Sequence, residues 1–176
     1  LDWILLTHSH CDHADPLSLQ ALAKNTKAQV AGGVKSLAVA HEAGFEVSRC
    51  YPLCPGEELD LDAQLKVRVS FALPTDGSDL NHLGFLLMGK DGSSFWNSGD
   101  TAWSELLPEL ACAVLKNADG SIIRPNVFAV CINAGYGNLS HWEAAKLAGA
   151  AEAQIAVPTH WDLFPHNSLE IGRAHV

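Results

Sequence analysis

A run of metal-ligand side chains directly after an apolar segment constrains this chain more than any other feature of its sequence. The first residues read LDWILL, which predicts a buried strand, and they are followed by THSHCDH. Side chains two residues apart in an extended segment point the same way, so His8 and His10 can reach one ion. The chain must then turn, which lets Asp12 and His13 face a second ion. We therefore predict a bound metal ion, which is zinc, manganese or iron, at this strand end rather than a polar surface loop.

One segment cannot complete two metal sites, so we expect further ligands at other strand ends. Asp100 follows the predicted strand 94–97, where its carboxylate can bridge both ions or, alternatively, cap the next helix. His160 follows the last predicted strand, 155–157, and can complete the second site. Two ions about 3.5–4 Å apart would clamp and deprotonate a shared water, which gives hydroxide at neutral pH.

Three sequence motifs resemble those of one superfamily of binuclear metal hydrolases. THSHCDH resembles the HxHxDH signature of the metallo-β-lactamase superfamily, and NSGDT and VPTHWD resemble its later motifs in the same order. The resemblance runs from about residue 1 to residue 167, and it implies an α/β fold of the four-layer αββα type. The phrases INAGYG and PTHWDLF resemble more narrowly the branch that contains L-ascorbate-6-phosphate lactonase.

The resemblance also implies a set of ligands for two sites and a bridge between them. The first site takes His8 and His10, and the second takes Asp12, His13 and His160. Asp100 is implied as the bridge between the two ions. In the family, the aspartate at the position of Asp12 also orients the attacking water and accepts its proton.

The first site departs from the family pattern at its third ligand. Many members place a histidine shortly after the strand that corresponds to residues 65–71, whereas this chain reads ALPTDG there. Either His82 reaches the first ion or Asp76 substitutes for the missing histidine; otherwise that ion is held more weakly. A polar side chain at the entrance to a strand is the alternative interpretation of His82.

Hydrophobic patterning predicts one α/β domain in which strands and helices alternate, with a hairpin in the middle. Asp15 and Pro16 read as the N-cap and first residue of a helix, and Ser140 with Glu143 reads as a capping box. Gly44 is placed to end the second helix. The helices are predicted over 16–25, 34–43, 103–116 and 140–150, and the third is expected to be interrupted near Pro108. The strands are predicted over 1–7, 29–31, 65–71, 85–88, 94–97, 127–132 and 155–157.

Both ends of the sequence point to a partial domain, which we place at residues 1–169. The chain begins without Met inside an apolar run, and the strands that open the superfamily's fold precede its HxHxDH motif. We therefore expect those N-terminal strands to be missing. The last residues, IGRAHV, match the translation of a common sequencing adapter, so we expect residues 170–176 to be an adapter-derived tail.

Composition excludes several classes of protein. Hydrophobic residues make up 48% of the 176 residues and charged residues 18%, which excludes a disordered chain. The net charge of −9 argues against a nucleic-acid binder, and no apolar run is long enough to span a membrane. The five cysteines are odd in number and irregular in spacing, so we expect free thiols and a reducing cytoplasm.

These observations predict a cytoplasmic, metal-dependent hydrolase with a small-molecule substrate, and they leave homo-oligomerisation open. A metal-held hydroxide would attack the carbonyl of a lactone or cyclic ester, such as a sugar-acid lactone phosphate. One alternative is a phosphodiesterase that uses the same two ions. The other is a non-catalytic domain that binds a metal or a partner.

A few further side chains have a predicted place near the substrate. Trp103, Tyr136 and Trp161 form either an aromatic wall for the substrate or packing at the rim. His141 and His166 are candidates for the pocket mouth, whereas His41 is expected on a solvated helix face. The basic residues considered for a substrate phosphate are Lys24, Lys27, Lys35 and Arg49.

Overall fold

Nine strands form two β-sheets in the computed structural model, which describes residues 1–161. The first sheet is parallel, and its strands in order are β1 (Trp3–Leu6), β2 (Gln29–Gly32) and β3 (Cys50–Pro52). The second sheet keeps sequence order from β4 to β9. Its strands are β4 (Glu58–Asp60), β5 (Leu65–Phe71), β6 (Leu83–Gly89), β7 (Ser94–Asn97), β8 (Val127–Cys131) and β9 (Ile155–Thr159). Strands β4 to β7 pair antiparallel, and β7 to β9 pair parallel.

Each sheet packs against two helices on its outer face. The helices are α1 (Pro16–Asn25), α2 (Val34–Glu42), α3 (Leu107–Cys112) and α4 (His141–Ala150). One buried cluster joins Leu19 of α1 to Val30 of the first sheet, and another joins Leu147 of α4 to Phe128 of the second. Burial of such apolar surface is the main stabilising contribution to folding.

The inner faces of the two sheets pack against each other. Ala31 of β2 and Val67 of β5 are both fully buried in the same apolar cluster, together with Phe85 of β6. The order of layers is therefore helix, sheet, sheet, helix. This arrangement confirms the αββα sandwich that the sequence motifs implied.

The helix ends follow the local sequence signals. The Asp15 carboxylate accepts a hydrogen bond from the Ser18 backbone N–H at 2.7 Å, and Pro16 is the first residue of α1. The predicted capping box of α4 forms in both directions between Ser140 and Glu143. Gly44 adopts a φ of +105° just beyond α2, as predicted for a residue that ends a helix.

The helix predicted over 103–116 is wrong in its extent. α3 begins only at Leu107, and a 3-10 turn over Ala113–Leu115 follows it. Pro108 lies in the first turn of α3, where a missing backbone N–H costs no hydrogen bond. The proline therefore starts the helix rather than interrupting it.

The strands also differ from the prediction, most clearly in the end of β9 and in the presence of two short strands. β9 continues past Pro158, which pairs with Val130, because β9 is an edge strand and an edge position tolerates the missing donor. The short strands β3 and β4 were not predicted, since three residues each are too few to show a periodicity of two.

Several other predictions concern the chain as a whole. All five cysteines are free, as predicted. No helix within residues 1–161 combines the length and the hydropathy needed to cross a membrane. His166, the end of the proposed domain at residue 169 and the predicted tail at 170–176 lie outside the described residues.

Candidate metal centre

The candidate ligands come from four strand ends that meet at one edge of the sandwich. His8 and His10 directly follow β1, and a turn then closes through hydrogen bonds from the backbone N–H groups of His13 and Ala14 to the His10 carbonyl. This turn brings the His13 ring to 4.1 Å from the His8 ring, measured between centroids. The other strand ends supply His82 before β6, Asp100 after β7 and His160 after β9.

His8, His10 and His82 form the first cluster, in which one ring nitrogen of each lies within 4.8 Å of the others. His8 Nε2 is 3.0 Å from His10 Nδ1, and the rings of His8 and His82 stack at 4.1 Å. His82 Nδ1 is 3.0 Å from the Asp100 carbonyl oxygen, so this nitrogen carries the proton and donates it. Its Nε2 is buried, has no hydrogen-bond partner within residues 1–161 and keeps a free lone pair, which fits a metal ligand.

The structure brings His82, and not Asp76, into the first cluster. The Asp76 side chain is half exposed, and its Oδ2 lies 3.4 Å from the outward-facing Nε2 of His10. Two hydrogen bonds from Ser78, from its backbone N–H and its hydroxyl, end on Asp76 Oδ1. These two hydrogen bonds lower the pKa of Asp76 to about 2, so its carboxylate is ionised. Its position beside His10 Nε2 allows it to orient the His10 ring.

Asp12, His13 and His160 form the second cluster. His160 Nε2 lies 3.2 Å from His13 Nε2 and 3.3 Å from Asp12 Oδ2, and His13 Nε2 lies 3.5 Å from the same oxygen. Ligands at about 2.1 Å from a tetrahedral zinc ion are roughly 3.4 Å apart. The spacing of these three atoms therefore fits one divalent ion.

Asp100 lies between the two clusters and is 4% exposed. Its Oδ1 is 3.5 Å from His13 Nε2 and has no hydrogen bond to the described part of the chain, while its Oδ2 is 3.5 Å from His160 Nε2. His8, His13 and Asp100 also satisfy the spacing of a ligand group, which fits a carboxylate shared by both clusters. The alternative role as a helix N-cap is wrong, because Leu106 occupies that position before α3.

Burial favours the neutral form of two of the clustered imidazoles, His8 and His13, and the neutral form is the one that binds metals. Desolvation, followed by the proximity of His13, His82 and His10, lowers the pKa of His8 to about 2. Desolvation also lowers the pKa of His13, against the opposing effect of Asp100 and Asp12. Partial burial acts to raise the pKa of Asp12, but His13, a backbone hydrogen bond and His160 together hold it below its ordinary value.

An open pocket of about 470 Å³ lies over these groups. It is lined by His10, Cys11, Asp12, Thr75, Asp76, Ser78, Asp100, Tyr136, Asn138 and His160. Of the three aromatic residues predicted beside the substrate, Tyr136 lines this pocket, whereas Trp103 and Trp161 are not among the lining residues. His141 is not among them either.

The basic residues considered for a substrate phosphate lie apart from this lining. Arg49 donates hydrogen bonds to the backbone carbonyls of Ala23, Thr26 and Ala28, so its role is structural. Lys35 donates to the Ser78 carbonyl, which places its ammonium at the rim of the pocket. Within residues 1–161, neither Lys nor Arg lines the pocket itself.

Two buried side chains that support the clusters were missed from the sequence. Asn138 Nδ2 donates to Asp100 Oδ2 at 2.8 Å, and Asp79 accepts a hydrogen bond from the Ser9 backbone N–H, also at 2.8 Å. Asp79 lies in a Gly-Ser-Asp stretch that reads only as a turn, and Asn138 lies in a loop. No spacing in the sequence relates either residue to the ligands that it contacts.

Comparison with known proteins places this fold and these residues in a family. Residues 1–161 match the family described as Beta-lactamase superfamily domain. A UPF0173 metal-dependent hydrolase from Herpetosiphon aurantiacus is 31% identical over 175 aligned residues, which cover 94% of this chain and 66% of the relative. Another UPF0173 metal-dependent hydrolase, from Hyperthermus butylicus, is 29% identical, with coverage of 94% and 67%. The chain thus spans about two thirds of the length of the curated relatives it matches.

Solved structures show the same fold. Igni18, described as a novel metallo hydrolase from the archaeon Ignicoccus hospitalis, has a TM-score of 0.72 at 18% identity over 96% of this chain and 67% of that one. The finer resemblance to the ascorbate-6-phosphate lactonase branch stays a prediction. Since the family match runs from residue 1 to residue 161 and includes every candidate ligand, the chain belongs to the beta-lactamase superfamily domain family.

Proposed function

We propose that this domain is a metal-dependent hydrolase that opens a lactone or another cyclic ester. The observation that carries the proposal is the pair of adjoining ligand clusters with Asp100 between them, at the floor of an open pocket. When bound, two divalent ions would supply a Lewis acid for the carbonyl and a water nucleophile at neutral pH. Zinc and manganese both suit this set of imidazole and carboxylate ligands.

Asp12 is the residue that we assign to proton transfer. Its side chain is half exposed, lines the pocket and is ionised because its pKa lies below the ordinary value. A carboxylate in this position can hold the attacking water by one oxygen and accept the proton that the water loses. The Nε2 atoms of His13 and His160 lie 3.5 Å and 3.3 Å from Asp12 Oδ2, so both rings contribute to the orientation of this carboxylate.

The charge of the pocket favours a neutral carbonyl substrate over a phosphodiester. Asp12, Asp76 and Asp100 line the pocket, and within the described residues no Lys or Arg accompanies them there. Two bound divalent ions would balance these carboxylates rather than exceed them, so the pocket would offer a phosphodiester no surplus positive charge. Within the lactone class, we assign the phosphate of a sugar-acid lactone phosphate to Lys35, whose ammonium lies at the rim.

Turnover assays with purified, metal-loaded protein test this proposal. We expect hydrolysis of lactones and little activity on bis-phosphodiester substrates. Asp12→Ala should lower kcat by about 10²–10⁴-fold, as expected for loss of a general base. Asp60→Asn is the matched control, since Asp60 is 77% exposed on β4 and lies outside the pocket lining.

Other outcomes would contradict the proposal in different ways. Turnover of the diester with inert lactones would indicate the phosphodiesterase alternative. Equal activity of Asp12→Ala and the native protein would remove Asp12 from catalysis. Metal binding without turnover of either substrate class would favour a non-catalytic metal-binding or partner-binding domain.

A further inference from the structure

The first ligand cluster takes its members from both sheets of the sandwich. His8 and His10 follow β1 of the first sheet, while His82 precedes β6 of the second. A backbone hydrogen bond of 2.8 Å from the Leu83 N–H to the Thr7 carbonyl connects the two segments next to the cluster. The geometry of the cluster therefore depends on how the two sheets are held at this edge.

Asp79 connects the same two segments with its side chain. Its Oδ2 accepts the backbone N–H of Ser9, the residue between His8 and His10, at 2.8 Å. Its Oδ1 accepts the backbone N–H of Asn81, the residue before His82, at 2.9 Å. Each carboxylate oxygen thus holds one of the two ligand-bearing segments.

Asp79 is also a buried charge without a basic partner. The residue is 1% exposed, and within residues 1–161 no Lys or Arg forms an ion pair with it. Burying a carboxylate in this way is costly unless a positive charge compensates for it. The three imidazoles beside it each offer a ring nitrogen at ligand spacing, so a divalent ion in this cluster would supply that charge.

We infer that Asp79 is a positioning residue for the first ligand cluster. It fixes the distance between the His8–His10 segment and His82, and its charge favours a cation among these three imidazoles. The inference rests on the metal-binding part of the proposed function and requires no particular substrate. It assigns Asp79 no contact with the substrate or with the ion.

Metal titration of Asp79→Asn tests this inference. The amide keeps the size of the side chain and one oxygen acceptor, but it removes the charge and one of the two acceptors. Affinities for Zn²⁺ and Mn²⁺ are measured against a competing chelator and from the rise in Tm with metal concentration. We expect one of the two metal equivalents to bind about 10–100-fold more weakly, which is the usual effect of replacing a residue that orients a metal ligand. The affinity for the other equivalent should change little.

The matched control is Asp62→Asn. Asp62 also accepts two backbone N–H groups, from Gln64 and Leu65, but it is exposed and lies outside the pocket lining. Its replacement should leave both affinities unchanged. Co²⁺ serves as a second probe. In Asp79→Asn, the visible absorption of one of the two bound Co²⁺ equivalents should differ from that of the native protein. In the control, the absorption of both equivalents should match the native protein.

Two results would overturn the inference. One is native affinity for both equivalents in Asp79→Asn. The other is an equal loss of metal affinity at both sites, accompanied by a lower stability of the metal-free protein. That result would mean that Asp79 only supports the fold. A metal that binds only the folded state favours folding, so Tm rises with metal concentration even if the metal-free variant is largely unfolded. A poorly folding variant therefore still gives one of these answers. Failure of the proposed function would instead appear as a lack of turnover in the native protein.

Discussion

Replacing His82 and Asp76 separately identifies the third ligand of the first cluster. In His82→Ala, the unpartnered, buried Nε2 beside His8 and His10 is lost, together with the hydrogen bond to the Asp100 carbonyl. In Asp76→Ala, only a half-exposed carboxylate behind His10 is lost. We expect a large loss of metal affinity in the first variant and a small loss in the second.

The size of each effect follows from the surroundings of the two side chains. Four-ligand zinc sites contribute about 10–16 kcal/mol, so one ligand is worth about 3 kcal/mol. Loss of the His82 ligand should therefore weaken one metal equivalent on the order of 100-fold. The Asp76 carboxylate lies 3.4 Å from His10 Nε2 and is 52% exposed. A solvent-screened pair of this kind is worth about 0–1 kcal/mol, which is less than about 5-fold in affinity.

Competition titration with a chelator of known metal affinity measures both effects on the purified protein. His41→Ala is the control, since His41 is an exposed histidine of α2 whose side chain, among the hydrogen bonds of residues 1–161, contacts only the Phe45 carbonyl. Native affinity in His82→Ala, with a loss of about 100-fold in Asp76→Ala, would refute the reasoning. In that case the buried ring nitrogen of His82 would have no role in metal binding.

Three further predictions concern the residues around the clusters. Asn138→Ala removes the donor to Asp100 Oδ2, so the chelator titration should show metal affinity lowered by about 10–100-fold. Gly137→Ala should reduce the free energy of unfolding in urea by about 1–3 kcal/mol, since φ is +83° and an added Cβ would lie 2.5 Å from the Thr75 carbonyl oxygen. The metal-free protein should lose stability in urea as the pH falls below 6.5, because the unfolded chain then protonates His8 while the folded chain, with a pKa of about 2, does not.

Each of these predictions has a result that would contradict it. Unchanged metal affinity in Asn138→Ala would show that Asp100 is held without the amide. Gly92→Ala is the control for Gly137→Ala, because Gly92 has a φ of +85° with open space around it. Equal destabilisation of the two variants would mean that the close contact with the Thr75 carbonyl contributes nothing. A metal-free protein of constant stability between pH 6.5 and pH 4 would contradict the lowered pKa of His8.

The parts of the site that the sequence predicted are those that depend on local chain geometry. His8 and His10 share a face because they are two residues apart in an extended segment, and the turn after them needs no distant partner. Asp100 and His160 could be placed because each directly follows a predicted strand, and the ends of neighbouring parallel strands meet at one edge of a sheet.

The parts that could not be predicted depend on how the two sheets pack. His82 lies 74 residues beyond His8, and only the cross-sheet contact between Thr7 and Leu83 brings it to the cluster. Asp79 reads as a turn residue until its partner, Ser9, is known. The third ligand was therefore left open between His82 and Asp76, because no local pattern reports the distance between two sheets.

Charge balance connects metal binding to the choice of substrate. Four carboxylates surround the clusters: Asp12 and Asp100 within them, and Asp76 and Asp79 behind the first one. Without metal, these groups give the site a net negative charge, because burial keeps the neighbouring His8 and His13 neutral. Two divalent ions would carry the same amount of charge with the opposite sign, so a pocket loaded with both would be close to neutral. Under the proposed function, a neutral lactone carbonyl would then approach without repulsion, whereas an anionic group would need a cation elsewhere, and Lys35 at the rim is placed to supply one.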